Sequence, residues 1–203
     1  GAVDKNAAGE TRTDSPATNL YIGGRQYAGN LRPFSGLIDD VRVYSRALSA
    51  SEIKQLYAMG GSKIAETPQK QSYFTTGLKS GLVGWWTFDG TDIAGTQVYD
   101  KSPVGTNTGT RAGGTSVTPG KLGQGMKFNG LTSYIDAGTG SSLNITGDIT
   151  VSAWIKLQNP LDVFFGFIVA KDVGAGRNFG FGVDSVTRKL YLEGYPAVSM
   201  DGT

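Results

Sequence analysis

Apolar and polar positions along the chain alternate in short runs separated by glycine-rich turns. Asn19-Leu20-Tyr21-Ile22 is one such run, closed by Gly23-Gly24. Leu37 to Tyr44 alternates at period two, with Ile38, Asp40, Arg42 and Tyr44 on one side and Leu37, Asp39, Val41 and Val43 on the other. Similar runs cover Gly81 to Phe88, Gly125 to Phe128, Ser133 to Asp136, Ile149 to Leu157, Phe164 to Lys171, Phe179 to Val183 and Lys189 to Glu193. Each is a predicted strand, and their spacing predicts an antiparallel sandwich.

One stretch has helical spacing. Ser49-Ala50-Ser51-Glu52 is a capping box, in which the serine hydroxyl accepts from the third helical amide and the glutamate reaches back to the cap. Leu48 and Ile53 stand at hydrophobic-staple spacing, Leu56 and Tyr57 continue the apolar face, and Gly60-Gly61 supplies the stop. A helix this short needs a sheet to dock on. Ser62 to Lys79 is polar, lacks a period and contains Pro68, which predicts a linker.

Composition narrows the chemistry. The 203 residues include 31 glycines but no cysteine and no histidine. That excludes disulfides, thiol nucleophiles, Fe–S clusters, histidine-ligated metals and any imidazole base. Nineteen basic residues against 17 acidic ones give a net charge of +2, which leaves no electrostatic footprint for nucleic acid. No apolar run approaches the ~18 residues of a membrane span. Gly1-Ala2-Val3-Asp4 lacks the basic and apolar regions of a signal peptide, so an exported protein would be met here as a mature or internal segment. Low charge, many glycines and the absence of cysteine fit an extracellular or cell-surface protein of a prokaryote.

Two stretches resemble the laminin-G-like, concanavalin A-like jelly-roll domains of bacterial surface proteins. Phe34-Ser35-Gly36-Leu37-Ile38-Asp39-Asp40-Val41-Arg42-Val43-Tyr44-Ser45-Arg46-Ala47-Leu48-Ser49, running on to Tyr57 and preceded by Leu20-Tyr21-Ile22-Gly23-Gly24, resembles that family's C-terminal signature. Gly81-Leu82-Val83-Gly84-Trp85-Trp86-Thr87-Phe88-Asp89, then Gly120 to Gly130, Ser133 to Asp136 and Ile149 to Lys156, resembles its N-terminal half. The resemblance implies an all-β, concanavalin A-like antiparallel sandwich (jelly roll) with one short C-terminal-type helix. It also implies an inverted order: residues 1–61 as the C-terminal half, 62–79 as linker, and 80–203 as the N-terminal half. The family's middle segment is not found between them. Three origins fit: a window across two tandem domains, a circular permutation, or halves that complete each other between chains. Residues 1–61 bury too little apolar surface to fold alone, so something must complete them.

Candidate sites are few. The resemblance implies a structural calcium ion held by Asp39 or Asp40 together with Asp89, with Asp136 a further acidic strand position. The alternative is that these aspartates bond to turn amides or to Arg42 and Arg46. Trp85 and Trp86 are adjacent, so they face opposite sides of a strand, one into the core and the other toward a ligand, a neighbour or an interface. Trp154, between Ala153 and Ile155, reads as core. Phe164 and Phe165 open an apolar run and are candidates for a subunit contact. The four glutamates, Glu10, Glu52, Glu66 and Glu193, offer no paired acid and nucleophile, and Gly174 to Gly180 reads as a hairpin turn. The expected function is a non-catalytic extracellular structural or adhesive module of a multidomain or polymerising surface protein. Its expected partners are neighbouring copies or adjacent domains. The alternative is a carbohydrate-binding module of a secreted glycan-active enzyme, with glycans as partner.

Overall fold

The computed structural model describes residues 18–27, 30–61, 76–158, 165–173, 176–184 and 186–194. In chain order the first elements are β1 (Leu20–Ile22), β2 (Gln26–Tyr27), β3 (Asn30–Leu31), β4 (Ser35–Tyr44), α1 (Ala50–Gly61) and α2 (Thr76–Lys79). They are followed by β5 (Leu82–Trp86), β6 (Ile93–Ala94), β7 (Gln97–Val98), β8 (Gly109–Ala112), β9 (Ser116–Pro119) and β10 (Gln124–Asn129). The last are β11 (Tyr134–Asp136), β12 (Thr150–Leu157), β13 (Phe165–Val173), β14 (Gly176–Asp184) and β15 (Leu190–Gly194).

These strands form the antiparallel sandwich that the alternation predicts. One sheet has eight strands in the order β15-β14-β13-β1-β11-β8-β7-β6. The facing sheet has the order β12-β4-β10-β9, with β5 also paired to β4, while β2 and β3 form a separate hairpin. The main apolar core draws on both sheets, with Leu20, Ile22, Ile38, Trp86, Phe128 and Val169 all fully buried in it.

The sequence halves interlock within the chain. β1 lies between β11 and β13, with Ile22 opposite Ile135 on one side and Val169 on the other. β4 pairs along its length with β12 on one edge. On its other edge it pairs with β10 through Ser35 to Ile38 and with β5 through Val41 to Tyr44. Residues before the predicted linker therefore supply an interior strand to each sheet.

Three local features depart from the sequence pattern. First, the alternation in β4 changes phase midway. Ile38, Val41 and Val43 all enter the main core, whereas Tyr44 joins a second cluster with Leu56, Leu78 and Leu82. The cause is a β-bulge: Asp39 to Arg42 on β4 stands opposite Trp154 to Ser152 on β12, one residue fewer, and Asp40 has φ 52°. Second, the last four residues of the predicted linker form α2, whose Leu78 is fully buried. Third, Tyr57 does not join the buried face of α1: Leu56 docks on the second cluster, but Ile53 is 44% and Tyr57 71% exposed.

The capping box forms as predicted. The Glu52 amide donates to Ser49 Oγ at 3.3 Å, and the Ser49 amide donates to Glu52 Oε2 at 2.8 Å. Arg46 extends it across the linker. Its guanidinium donates to both Glu52 oxygens at 2.6 and 2.9 Å, to the Gly77 carbonyl at 2.7 Å and to the Ser80 carbonyl at 2.8 Å.

Candidate functional site

The bulge in β4 sets two adjacent carboxylates to different tasks. Asp39 turns to the β9–β10 turn, where its Oδ2 accepts the amides of Lys121 and Leu122 at 2.6 and 2.7 Å. Asp89 closes on the same turn from the end of β5, accepting the Gln124 amide on Oδ1 at 2.8 Å. The turn carries glycine where the acids press on it. A Cβ on Gly120 would lie 2.6 Å from Asp39 Oδ2, and Gly123, at φ +74°, would drive one into Asp89 Oδ1. Asp39 Oδ1 is buried and has no hydrogen-bond partner among the described residues. Burial pushes the Asp39 carboxyl up to about 6, against the pull of the two amides, and the charges of Asp40 and Asp89 add to the rise.

Asp40 turns to a different set of partners. Its Oδ1 accepts the Trp85 indole N–H at 2.7 Å and the Arg42 Nη2 and Nε hydrogens at 3.1 and 3.3 Å, while its Oδ2 lies 3.0 Å from Arg42 Nη2. The Arg42 guanidinium also stacks over Trp85, 4.8 Å from the ring centroid. Burial raises the Asp40 carboxyl above the usual carboxylate range, and Arg42 and Trp85 counter it. Asp136 is likewise structural, accepting from the Asn19 amide side chain at 2.7 Å and from the Gly138 backbone at 2.8 Å.

Of the implied calcium ligands, Asp39 and Asp89 meet at the β9–β10 turn, whereas Asp40 does not join them there. Asp40 is turned toward Arg42 and Trp85, and among the described residues no three acidic, histidine or cysteine side chains are placed to share a metal. The aspartates bond to turn amides and to Arg42, and Arg46 engages Glu52.

The aromatic residues also sort by environment. Trp86 is fully buried and donates its indole N–H to the Asn107 carbonyl at 2.9 Å, so it is core and offers no ligand surface. Trp85 is half-buried, covered by the Arg42 stack and the α1 cluster. Trp154 departs from its reading as core. It alternates with Ala153 and Ile155, which pack on the main core, and it faces away from that core. Tyr57 lies against it at 5.7 Å between ring centroids and 33° between planes, and Lys121 Nζ stands 5.5 Å from its centroid. Phe164 lies outside the described residues, as does the Phe165 side chain.

Tyr57, Trp154 and Lys121 thus form a half-open aromatic shelf that sequence reasoning missed. The helical spacing of Ile53, Leu56 and Tyr57 predicts one buried face, so it gave no sign that Tyr57 would stand outside it. At the free edge of β12, Ile155, Leu157, Ile168, Phe181 and Val183 line an apolar cavity of about 320 Å³ between the sheets.

With this geometry in place, comparison with known families adds one match. Residues 1–54 match the model described as the Concanavalin A-like lectin/glucanases superfamily, of laminin-G type. This segment is similar to that family. It contains β1 and β4, the strands at the interior of the two sheets, and the whole described chain has the corresponding concanavalin A-like sandwich. Neither curated proteins nor solved structures give a match. No helix among the described residues is long and apolar enough to cross a membrane.

Proposed function

We propose that the protein is a non-catalytic structural or adhesive module of an extracellular surface protein. The observation that carries this reading is the commitment of the candidate polar groups. Asp39, Asp89 and Asp136 hold turns or join strands, and Asp40 neutralises the buried Arg42. Side chains bound to backbone amides and buried partners serve cohesion, since burial would otherwise leave those amides and the guanidinium unsatisfied. The laminin-G-like match supports the same class at the level of the superfamily.

A second reading is favoured by one feature, the shelf of Tyr57 and Trp154. An exposed aromatic face with a cation beside it suits the apolar face and hydroxyls of a sugar ring. The two readings separate in a binding test with a panel of soluble glycans and extracellular-matrix proteins, each with and without calcium. Matrix binding without glycan binding is expected. Saturable glycan binding lost in Tyr57→Ala favours the second reading, and turnover of any glycan defeats the non-catalytic one.

A further inference from the structure

We propose that residues 18–61 are a detachable donor, able to fill the same two strand slots in a second copy of this chain. β1 and β4 make all their ladders with strands that follow the linker: β11 and β13 for the first, β5, β10 and β12 for the second. Without them the later residues keep two gaps, one between β11 and β13 and one between β12 and the β5–β10 edge. Each gap exposes two rows of unpaired amides and carbonyls, the condition under which a strand from another chain is captured. The donor carries the matching apolar side chains, since Leu20, Ile22, Ile38, Val41 and Val43 are all fully buried.

The polar contacts cross the same junction. Asn19 binds Asp136, Asp40 binds Trp85, Asp39 binds the Lys121 and Leu122 amides, and Arg46 binds the Gly77 and Ser80 carbonyls. None of these depends on which chain supplies the donor. The covalent passage through residues 62–75 is what distinguishes self from neighbour.

That passage has a distance to cover. α1 ends with Gly60 against the Trp154 ring on β12, while α2 leads into β5 on the opposite edge of β4. Those strands are two spacings, on the order of 10 Å, apart. A single peptide link spans only about 3.8 Å between Cα atoms. Joining Gly61 directly to Thr76 would therefore favour donation to a neighbour. Reciprocal donation closes a dimer, and one-way donation builds a head-to-tail chain.

Two complementary lesions test this in the full chain. Val41→Asp spoils the donor and Met126→Asp spoils the acceptor, since both side chains are fully buried. Each variant refolded alone is expected to lose its cooperative unfolding transition. Refolded together, they are expected to regain one, in a species of twice the 21.3 kDa monomer mass, because one sandwich in the mixed dimer is then intact. A mixture as unfolded as its parts overturns the proposal. Should either variant fold alone, the chain lacking residues 62–75 decides by light scattering: dimers or longer multimers at all concentrations uphold exchange, and monomers alone overturn it. Failure here leaves a monomer whose ligand binding is unchanged, so it is distinct from failure of the module reading.

Discussion

Trp85 donates its indole hydrogen to Asp40 across the junction of the two sequence halves, at 2.7 Å. The bond lies beside the buried Arg42, so removing each partner has a different cost. Asp40→Ala removes the carboxylate 3.0 Å from the buried Arg42 guanidinium and is expected to destabilise by about 3–5 kcal/mol. Trp85→Phe keeps the ion pair and loses one hydrogen bond and part of the stack, for about 1–2 kcal/mol. Urea unfolding followed by fluorescence of the remaining tryptophans separates the two.

Asp39 gives the module a pH dependence of its own. Its carboxyl titrates near 6 in the folded state, against an ordinary value of 3.8. The folded state therefore holds the extra proton between those values. The contribution of this group is complete below about 3.8 and is lost as pH rises through about 6. By the linkage relation the swing is on the order of 3 kcal/mol. Asp39→Asn keeps an acceptor for the Lys121 and Leu122 amides and removes the titration. The difference in stability between wild type and variant should change across pH 4–6 and stay flat above about 7.

Glu52 has the opposite sign. The Arg46 hydrogen bonds, then the Ser49 amide, hold its carboxyl down to about 2. Its stabilisation is present above the ordinary value of 4.5 and disappears as pH falls through about 2. Because the pair is only half-buried and solvent screens it, Glu52→Gln should cost at most about 1 kcal/mol at neutral pH. The variant and wild type should converge in stability on acidification, in matched urea titrations.

Gly60 is a case where magnitudes decide the sign. Alanine favours a helix over glycine by about 1 kcal/mol. A Cβ at this position, however, runs into the Trp154 indole. Overpacking costs typically about 1–3 kcal/mol, so Gly60→Ala is expected to destabilise. It should also shift the Trp154 emission, because the shelf with Tyr57 must open to admit the methyl group. An unchanged spectrum with raised stability would contradict this packing.

The strands legible in the sequence were those with apolar alternation, such as β10 and β12, whose core residues recur at period two. β8 and β9, with Gly-Thr-Arg-Ala and Ser-Val-Thr-Pro, carry no such period because they are edge or near-edge strands held by pairing. The two-residue strands β2, β3, β6 and β7 are too short to show any pattern. The capping box of α1 was readable because its chemistry is local. Asp39 and Asp40 were readable as special, since two acids inside a core strand need partners, but their division of labour was not. It depends on a bulge defined by the partner strand β12, which lies more than 100 positions away.

That separation also sets the order of events during synthesis. β4 leaves the ribosome roughly 110 residues before β12, which at about 5–20 residues per second is a wait on the order of 5–20 s. Through that interval only its other edge can pair, first with β5 and then with β10, and the edge that β12 will cover stays open. The nascent chain must therefore be shielded or kept dilute while β4 waits for β12.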